Sequence, residues 1–269
     1  MAFKLQLTSD SILQFALTLE HLEDAFYKKA LSEWSIEAFT AAGFSEAFYD
    51  QLKYIAHDEE GHVVYLEAGL KAAGADPVKA CEYNFPMLTP KEFVALAATV
   101  EGLGVSAYLG AAADITSKAY LTAAGSILVT EALHQSAARG ANGQIPMANV
   151  FGTPLSPNAV FSIAAGFIKS CPSTNFALPF TAYPNSLAVV SGLPTAMGTG
   201  ITFKPKTAVE GEYFATFVSG LSVLPVSVDS KSDAGVTVTV PKGAEGQSYV
   251  FLTKDNSGNL TDSNIIAGT

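Results

Sequence analysis

Residues 55–70 read IAHDEEGHVVYLEAGL, and residues 130–136 read TEALHQS. Each holds a Glu-x-x-His motif, Glu59 with His62 and Glu131 with His134. A spacing of three puts both side chains of a motif on the same face of a helix. The surrounding apolar residues have helical period, with Leu52, Ala56, Glu59, His62 or Val63, and Leu66 on one stripe. In the second segment Ala124, Ile127 or Leu128, Glu131, His134 or Gln135, and Ala138 line up in the same way. Charged residues therefore stand where the period demands core residues, and a buried carboxylate is costly unless it is paired or bound to a cation.

Working outward, two more long helices carry the same anomaly. One follows Thr8 to Asp10 and runs to about Trp34, with Leu13, Ala16, Glu20, Glu23 and Tyr27 on one face. The other opens on Thr89-Pro90-Lys91-Glu92, a capping box with proline at the first helical position, and carries Val94, Ala97, Glu101, Gly104 and Tyr108. The Glu59 helix begins near Ser45 and stops at Gly74 before Pro77, and the Glu131 helix spans roughly Lys118 to Arg139. Glu20 is followed seven residues later by Tyr27, as Glu101 is by Tyr108, and each pair precedes one Glu-x-x-His helix. The unit Glu, Tyr, Glu-x-x-His thus occurs twice, which predicts two helical hairpins related by a pseudo-twofold axis.

One glutamate from each of two helices and Glu-x-x-His from each of the other two is the ligand set of carboxylate-bridged dimetal bundles. The predicted metal ligands are Glu20, Glu59, His62, Glu101, Glu131 and His134. Four carboxylates and two imidazoles suit two iron or two manganese ions, between which spacing does not choose. Glu23 competes with Glu20 on the first stripe, but its counterpart in the repeat is Gly104, which has no side chain to bind with. Tyr27 and Tyr108 read either as second-shell hydrogen-bond donors to ligating carboxylates or as buried aromatics. His21, His57, Asp58 and Glu60 fall off the stripes and read as solvated or partner-facing groups.

Composition changes near residue 170, from Ala, Leu and Glu to Val, Thr, Ser, Gly and Pro. The expected organisation is α+β and multidomain: a helical bundle over 1–170, with a short fifth helix that Pro157 could start, a linker over 171–184, and an antiparallel, immunoglobulin-like β-sandwich over 185–269. The sandwich strands are expected at 187–190, 201–204, 213–218, 223–228, 236–240 and 249–253, between Gly, Pro, Asp and Asn turns. A chain of 269 residues with 49% hydrophobic residues can bury cores of that size.

Charge narrows the function. With 25 acidic against 15 basic residues, no basic face is offered to a phosphate backbone, so no nucleic-acid partner is expected. The stretch Phe93–Ile115 has the length of a membrane span, but Ala95, Ala97, Ala98, Gly102, Gly104 and Ala107 suit close packing inside a protein, and a buried core helix is expected instead. The amino terminus MAFKLQLTSD shows no apolar signal segment, which reads as a cytoplasmic chain, or as a secreted one whose signal has been removed.

The segments LQFALTLEHLEDAFY (13–27), 55–70, CEYNFP (81–86), VEGLGVSAYLGAA (100–112), TEALHQS, CPSTN (171–175) and GQSYVFLT (246–253) resemble the ferritin-like domain family of fungal stress-response and plant desiccation-related proteins. The resemblance spans nearly the whole chain and implies a ferritin-like bundle with a dimetal site at the six residues named above. It also implies a bridge between Cys81 and Cys171, two buried thiols being the alternative in a reducing compartment. Three functions follow as expectations. The first is an oxidoreductase (oxidase, peroxidase or catalase-like) acting on dioxygen or peroxide. The second is a non-catalytic stress-response or cell-surface protein with a structural or vestigial metal site. Iron storage ranks last, because an appended sandwich would have to be accommodated on any closed shell, although a homo-oligomer remains compatible with the first two.

Overall fold

The computed structural model describes residues 9–191 and 196–268; Thr8, where the first helix is expected to begin, lies outside them. Among the described residues six α-helices form: α1 (Ser9–Glu33), α2 (Ile36–Ala41), α3 (Glu46–Ala72), α4 (Pro90–Ala111), α5 (Lys118–Ala141) and α6 (Pro157–Ala164). The long four are those the periodicity predicts, and their ends are set by local chemistry. Ser45 accepts from the Phe48 amide, Thr89 from Glu92 and Ser117 from Tyr120, each satisfying an amide that the helix leaves without a partner. Helix α3 ends where Gly74 adopts φ +81°, a conformation that favours glycine. Helix α2 escapes the sequence reading because it is less than two turns long. It is held by Phe39, which is fully buried against Phe44, Tyr49 and Phe93.

Helix α1 packs along α3, and α4 along α5, giving the two hairpins that the repeat predicts. The crossover between hairpins is fixed to α1 by two buried polar side chains. Gln14 donates to the Asp76 carbonyl at 2.7 Å and accepts from the Val78 amide at 2.8 Å, and His21 Nε2 lies 3.0 Å from the Val78 carbonyl oxygen. His21 is therefore buried and structural, not solvated as its place off the stripe suggested. Helix α4 is long and apolar enough to cross a bilayer, and most of that surface is spent inside the bundle, where Phe93, Val94, Ala97, Val100 and Leu103 are buried.

Beyond the helices, the described residues form two four-stranded antiparallel sheets. After the short β1 (Glu82–Tyr83) and β2 (Ile168–Ser170), which pair with each other, come β3 (Leu187–Val189), β4 (Gly200–Pro205), β5 (Phe214–Ser219) and β6 (Ser222–Ser227). The chain continues through β7 (Ser230–Ser232), β8 (Gly235–Thr239), β9 (Tyr249–Thr253) and β10 (Ile265–Gly268). The sheet orders are β3-β4-β8-β7 and β10-β9-β5-β6. Counted from β3, strands one, two, six and five make one sheet and eight, seven, three and four the other, which is the strand order of immunoglobulin-type sandwiches. Phe203 and Phe217 face each other across the sheets with ring centroids 6.3 Å apart, in a core that includes Ile201, Val238, Val250 and Leu252. Pro225 sits in β6, an edge strand, where a missing amide donor is tolerated.

The chain divides into two compact units that differ from a single boundary at 170 with a linker over 171–184. Residues up to 146 and 164–180 form the helical unit, while 147–163 and 181–269 form the β unit. The reason lies in polar contacts that composition does not reveal. Thr153 accepts from the Gly220 amide at 2.8 Å, Asn158 donates to Asp262 at 2.8 Å, and Ser162 accepts from the Tyr183 amide at 2.7 Å, so α6 belongs with the sandwich. The segment after α6 then returns to the bundle, where a disulfide joins Cys171 to Cys81 and Phe180 packs on Phe15 at 4.6 Å.

Candidate metal centre

The four helices converge on one buried cluster. Glu20 comes from α1, Glu59 and His62 from α3, Glu101 from α4, and Glu131 and His134 from α5. All four glutamates have 0% exposure, and His134 is buried as well. The ligand atoms fall into two overlapping groups, each with all atoms within 4.8 Å of one another: Glu20, Glu59, His62 and Glu131, and Glu59, Glu101, Glu131 and His134. Glu59 and Glu131 belong to both groups, and each group has its own histidine and its own third glutamate. His62 Nδ1 lies 3.0 Å from Glu20, 3.2 Å from Glu59 and 3.4 Å from Glu131. His134 Nδ1 lies 2.7 Å from Glu59 and 3.4 Å from Glu101, and the two rings are 6.3 Å apart.

The residues present fit metal ions. Glu59 Oε1, Glu101 Oε2, both oxygens of Glu131, and His134 Nδ1 are buried and, although several approach one another as ion-pair contacts, none makes a well-directed hydrogen bond. Polar atoms left in that state each cost about 1–3 kcal/mol, more when charged, and a cation at the centre removes the deficit. The donor set of carboxylate oxygens and imidazole nitrogens is one that divalent transition metals accept.

Electrostatics gives the same answer from the metal-free side. Burial, and then the charge of Glu101, pushes Glu59 up to about 7. Burial and the neighbouring carboxylates hold Glu131 well above the carboxylate range. Burial acts to discharge the histidines but is overcome by their carboxylate neighbours. Glu101 and Glu59 raise His134 to about 11, and Glu131, Glu20 and Glu59 raise His62 further. Protons thus occupy the cluster where cations would otherwise balance its charge.

Two hydrogen bonds to the cluster cross between the hairpins. Tyr27 on α1 donates to Glu101 on α4, and Tyr108 on α4 donates to Glu20 on α1. The two glutamates held by tyrosines are the two that are not shared between the ligand groups. Burial, and then the partner carboxylate's charge, keeps both phenols far above their ordinary range, so they remain donors. Of the two readings of these tyrosines left open by sequence, hydrogen bonding to the cluster is the one the structure displays.

Three residues refine the sequence reading. Gly104 is required by close approach: a Cβ there would stand 2.4 Å from Glu131 Oε2 and 2.9 Å from Glu23 Oε1. Glu23 is itself buried and lies in neither ligand group; burial, followed by the charges of Glu131 and Glu20, raises its pKa well above normal. Asp58, expected to be an outer-face charge, lies 3.3 Å from His134 Nε2 through Oδ2, while His57 is exposed. A carboxylate on the far nitrogen fixes the ring so that Nδ1 faces the cluster. Its only sequence signal was its place beside Glu59, since it lies off the apolar stripe.

Comparison with known proteins agrees with this fold. Protein rds1 of Schizosaccharomyces pombe is 25% identical over 246 residues, or 91% of this chain, and the chain spans 60% of that curated relative's length. The ferritin-like domain model matches residues 9–144, which include every residue of the cluster, and the chain belongs to the ferritin-like domain family.

Proposed function

We propose that the bundle binds two iron or two manganese ions and acts as an oxidoreductase on dioxygen or peroxide. The carrying observation is the pair of overlapping ligand groups that share Glu59 and Glu131. Glu59 and Glu131, common to both groups, would help to hold both ions, with Glu20 and His62 completing the set for one and Glu101 and His134 for the other. Four carboxylate charges balance two divalent cations. When bound, the ions supply two one-electron transfers, which together take dioxygen and two protons to hydrogen peroxide, or peroxide and two protons to two waters.

The chain's own residues set the conditions for that chemistry. Tyr27 and Tyr108 orient the terminal carboxylates through their hydroxyls, and Asp58 orients His134. Glu23, whose carboxyl is pushed up by burial and then by the charges of Glu131 and Glu20, offers a place for a proton beside the cluster. The surrounding apolar helices exclude bulk water, which strengthens each of these interactions.

The test is an optical spectrum of the reduced, metal-loaded protein before and after addition of oxygen, and separately of peroxide. A new charge-transfer absorption with consumption of the oxidant supports the reading. A protein that keeps its metal but is inert to both oxidants has a structural metal site instead.

A further inference from the structure

One tier away from the ligands the bundle holds an apolar cavity of about 70 Å³ that is partly open at the surface, where Tyr65 is exposed. Each wall residue is displaced along its helix from a ligand in the same direction. Ala16 precedes Glu20 by one turn, Leu66 follows His62 by one turn, Ile127 precedes Glu131 by one turn, and Tyr108 follows Glu101 by two. Tyr108 is the contact between the two sites, because it lines the cavity and its hydroxyl donates to Glu20.

The opposite tier, around Tyr27, would be equivalent under the pseudo-twofold, yet it is packed solid with aromatic rings. Phe93 lies 4.8 Å from Phe26, 5.6 Å from Tyr27 and 6.0 Å from Phe39. On the Tyr108 side the corresponding space is bordered by small residues, among them Ala16, Gly69 and Ala124. The asymmetry opens one approach to the cluster and closes the other.

The lining has no charged side chain, and its side-chain polar groups are the hydroxyls of three tyrosines, of which Tyr108 is committed to Glu20. A cavity of this chemistry excludes water, which needs two to four polar partners, and takes apolar guests; one of about 150 Å³ accommodates benzene or xenon. At about half that size the guest is smaller than an aromatic ring. Peroxide, which must keep its hydrogen bonds, is poorly served by these walls.

We propose that this cavity holds dioxygen and delivers it to the metal centre past Tyr108, on the Glu20 side. The assignment rests on the dimetal reading above and narrows it to dioxygen as the oxidant. Xenon probes the cavity without any metal. In the metal-free chain under xenon pressure, methyl NMR signals of Leu66, Ala124 and Ile127 are expected to shift, and those of Leu52 and Ile55 to stay in place.

Gly69→Phe fills the cavity where an added Cβ meets nothing within 4 Å, and Ala124→Phe fills it from α5. Both variants should abolish the xenon shifts and keep the metal content. In the reduced, metal-loaded protein each should slow reaction with dioxygen about tenfold or more. Absence of xenon shifts at the lining overturns the proposal, as does a variant that excludes xenon yet reacts with dioxygen at the original rate. Xenon binding in a protein that takes up no metal overturns the dimetal reading and the dioxygen assignment together, leaving the cavity to some other small apolar guest.

Discussion

The hydroxyl of Tyr108 on α4 donates to the carboxylate of Glu20 on α1, joining the first helix of one hairpin to the first helix of the other. The bond positions a carboxylate of the cluster and ties two helices together. Tyr108→Phe leaves a buried carboxylate oxygen without its donor, which costs about 1–3 kcal/mol. Loss of an outer-shell partner of this kind lowers metal affinity about 10–100-fold. Thermal unfolding and competitive metal titration should show both effects, and Tyr27→Phe should reproduce them through Glu101.

Metal-free protein should lose stability as pH rises. Glu59 is raised from 4.5 to about 7 and His134 from 6.5 to about 11, so the folded chain holds protons that the unfolded chain releases. The Glu59 contribution is complete below pH 4.5 and disappears as pH rises through about 7, and that of His134 is complete below 6.5 and disappears on approach to about 11. Each proton retained only by the folded state changes stability by about 1.4 kcal/mol per pH unit. Metal replaces those protons and binds better as pH rises. Unfolding temperatures at pH 5.5, 7 and 8.5, with and without chelator, should therefore fall with pH in the metal-free protein and fall less, or rise, in the loaded one.

Gly104→Ala should damage the centre without touching a ligand. Its Cβ would stand 2.4 Å from Glu131 Oε2, and that carboxylate is common to both ligand groups. Alanine favours an isolated helix over glycine by about 1 kcal/mol, so a gain in stability is the outcome if the site were irrelevant. The expected result is the reverse: loss of bound metal, and an unfolding temperature no higher than that of the parent.

The disulfide between Cys81 and Cys171 closes a loop with a sequence separation of 90 residues. Constraining so long a loop in the unfolded chain is worth about 2–4 kcal/mol. A Cys81→Ala, Cys171→Ala double variant should lose that amount in denaturant unfolding while keeping its metal, because neither cysteine belongs to the cluster.

Much of the bundle was legible because buried charge disturbs an otherwise regular pattern. Glu59, Glu101 and Glu131 stand on apolar stripes, and the repeat of Glu with Tyr seven residues on pairs the helices into hairpins. The Ser45, Thr89 and Ser117 caps act locally and so can be read locally. Long-range polar contacts leave no such trace. That His21 would turn to the Val78 carbonyl, or Asp58 to His134, depends on which loop or helix the fold brings alongside. The same holds for residues 147–163, whose place with the sandwich is decided by Thr153, Asn158 and Ser162. Strand β7, Ser-Lys-Ser, is an exposed edge with no apolar alternation to announce it, and β10 carries Ile265 and Ile266 side by side where alternation is expected.

Metal stoichiometry in the ligand variants tests the central claim most directly. After reconstitution with ferrous iron or manganese and removal of excess, elemental analysis of the parent chain should give two ions per chain. Glu59→Ala and Glu131→Ala, each removing a shared ligand, should lose both ions, whereas Glu20→Ala and Glu101→Ala should each retain about one. A folded parent chain that holds no metal, or Glu59→Ala and Glu131→Ala variants that still bind two ions, would contradict the account.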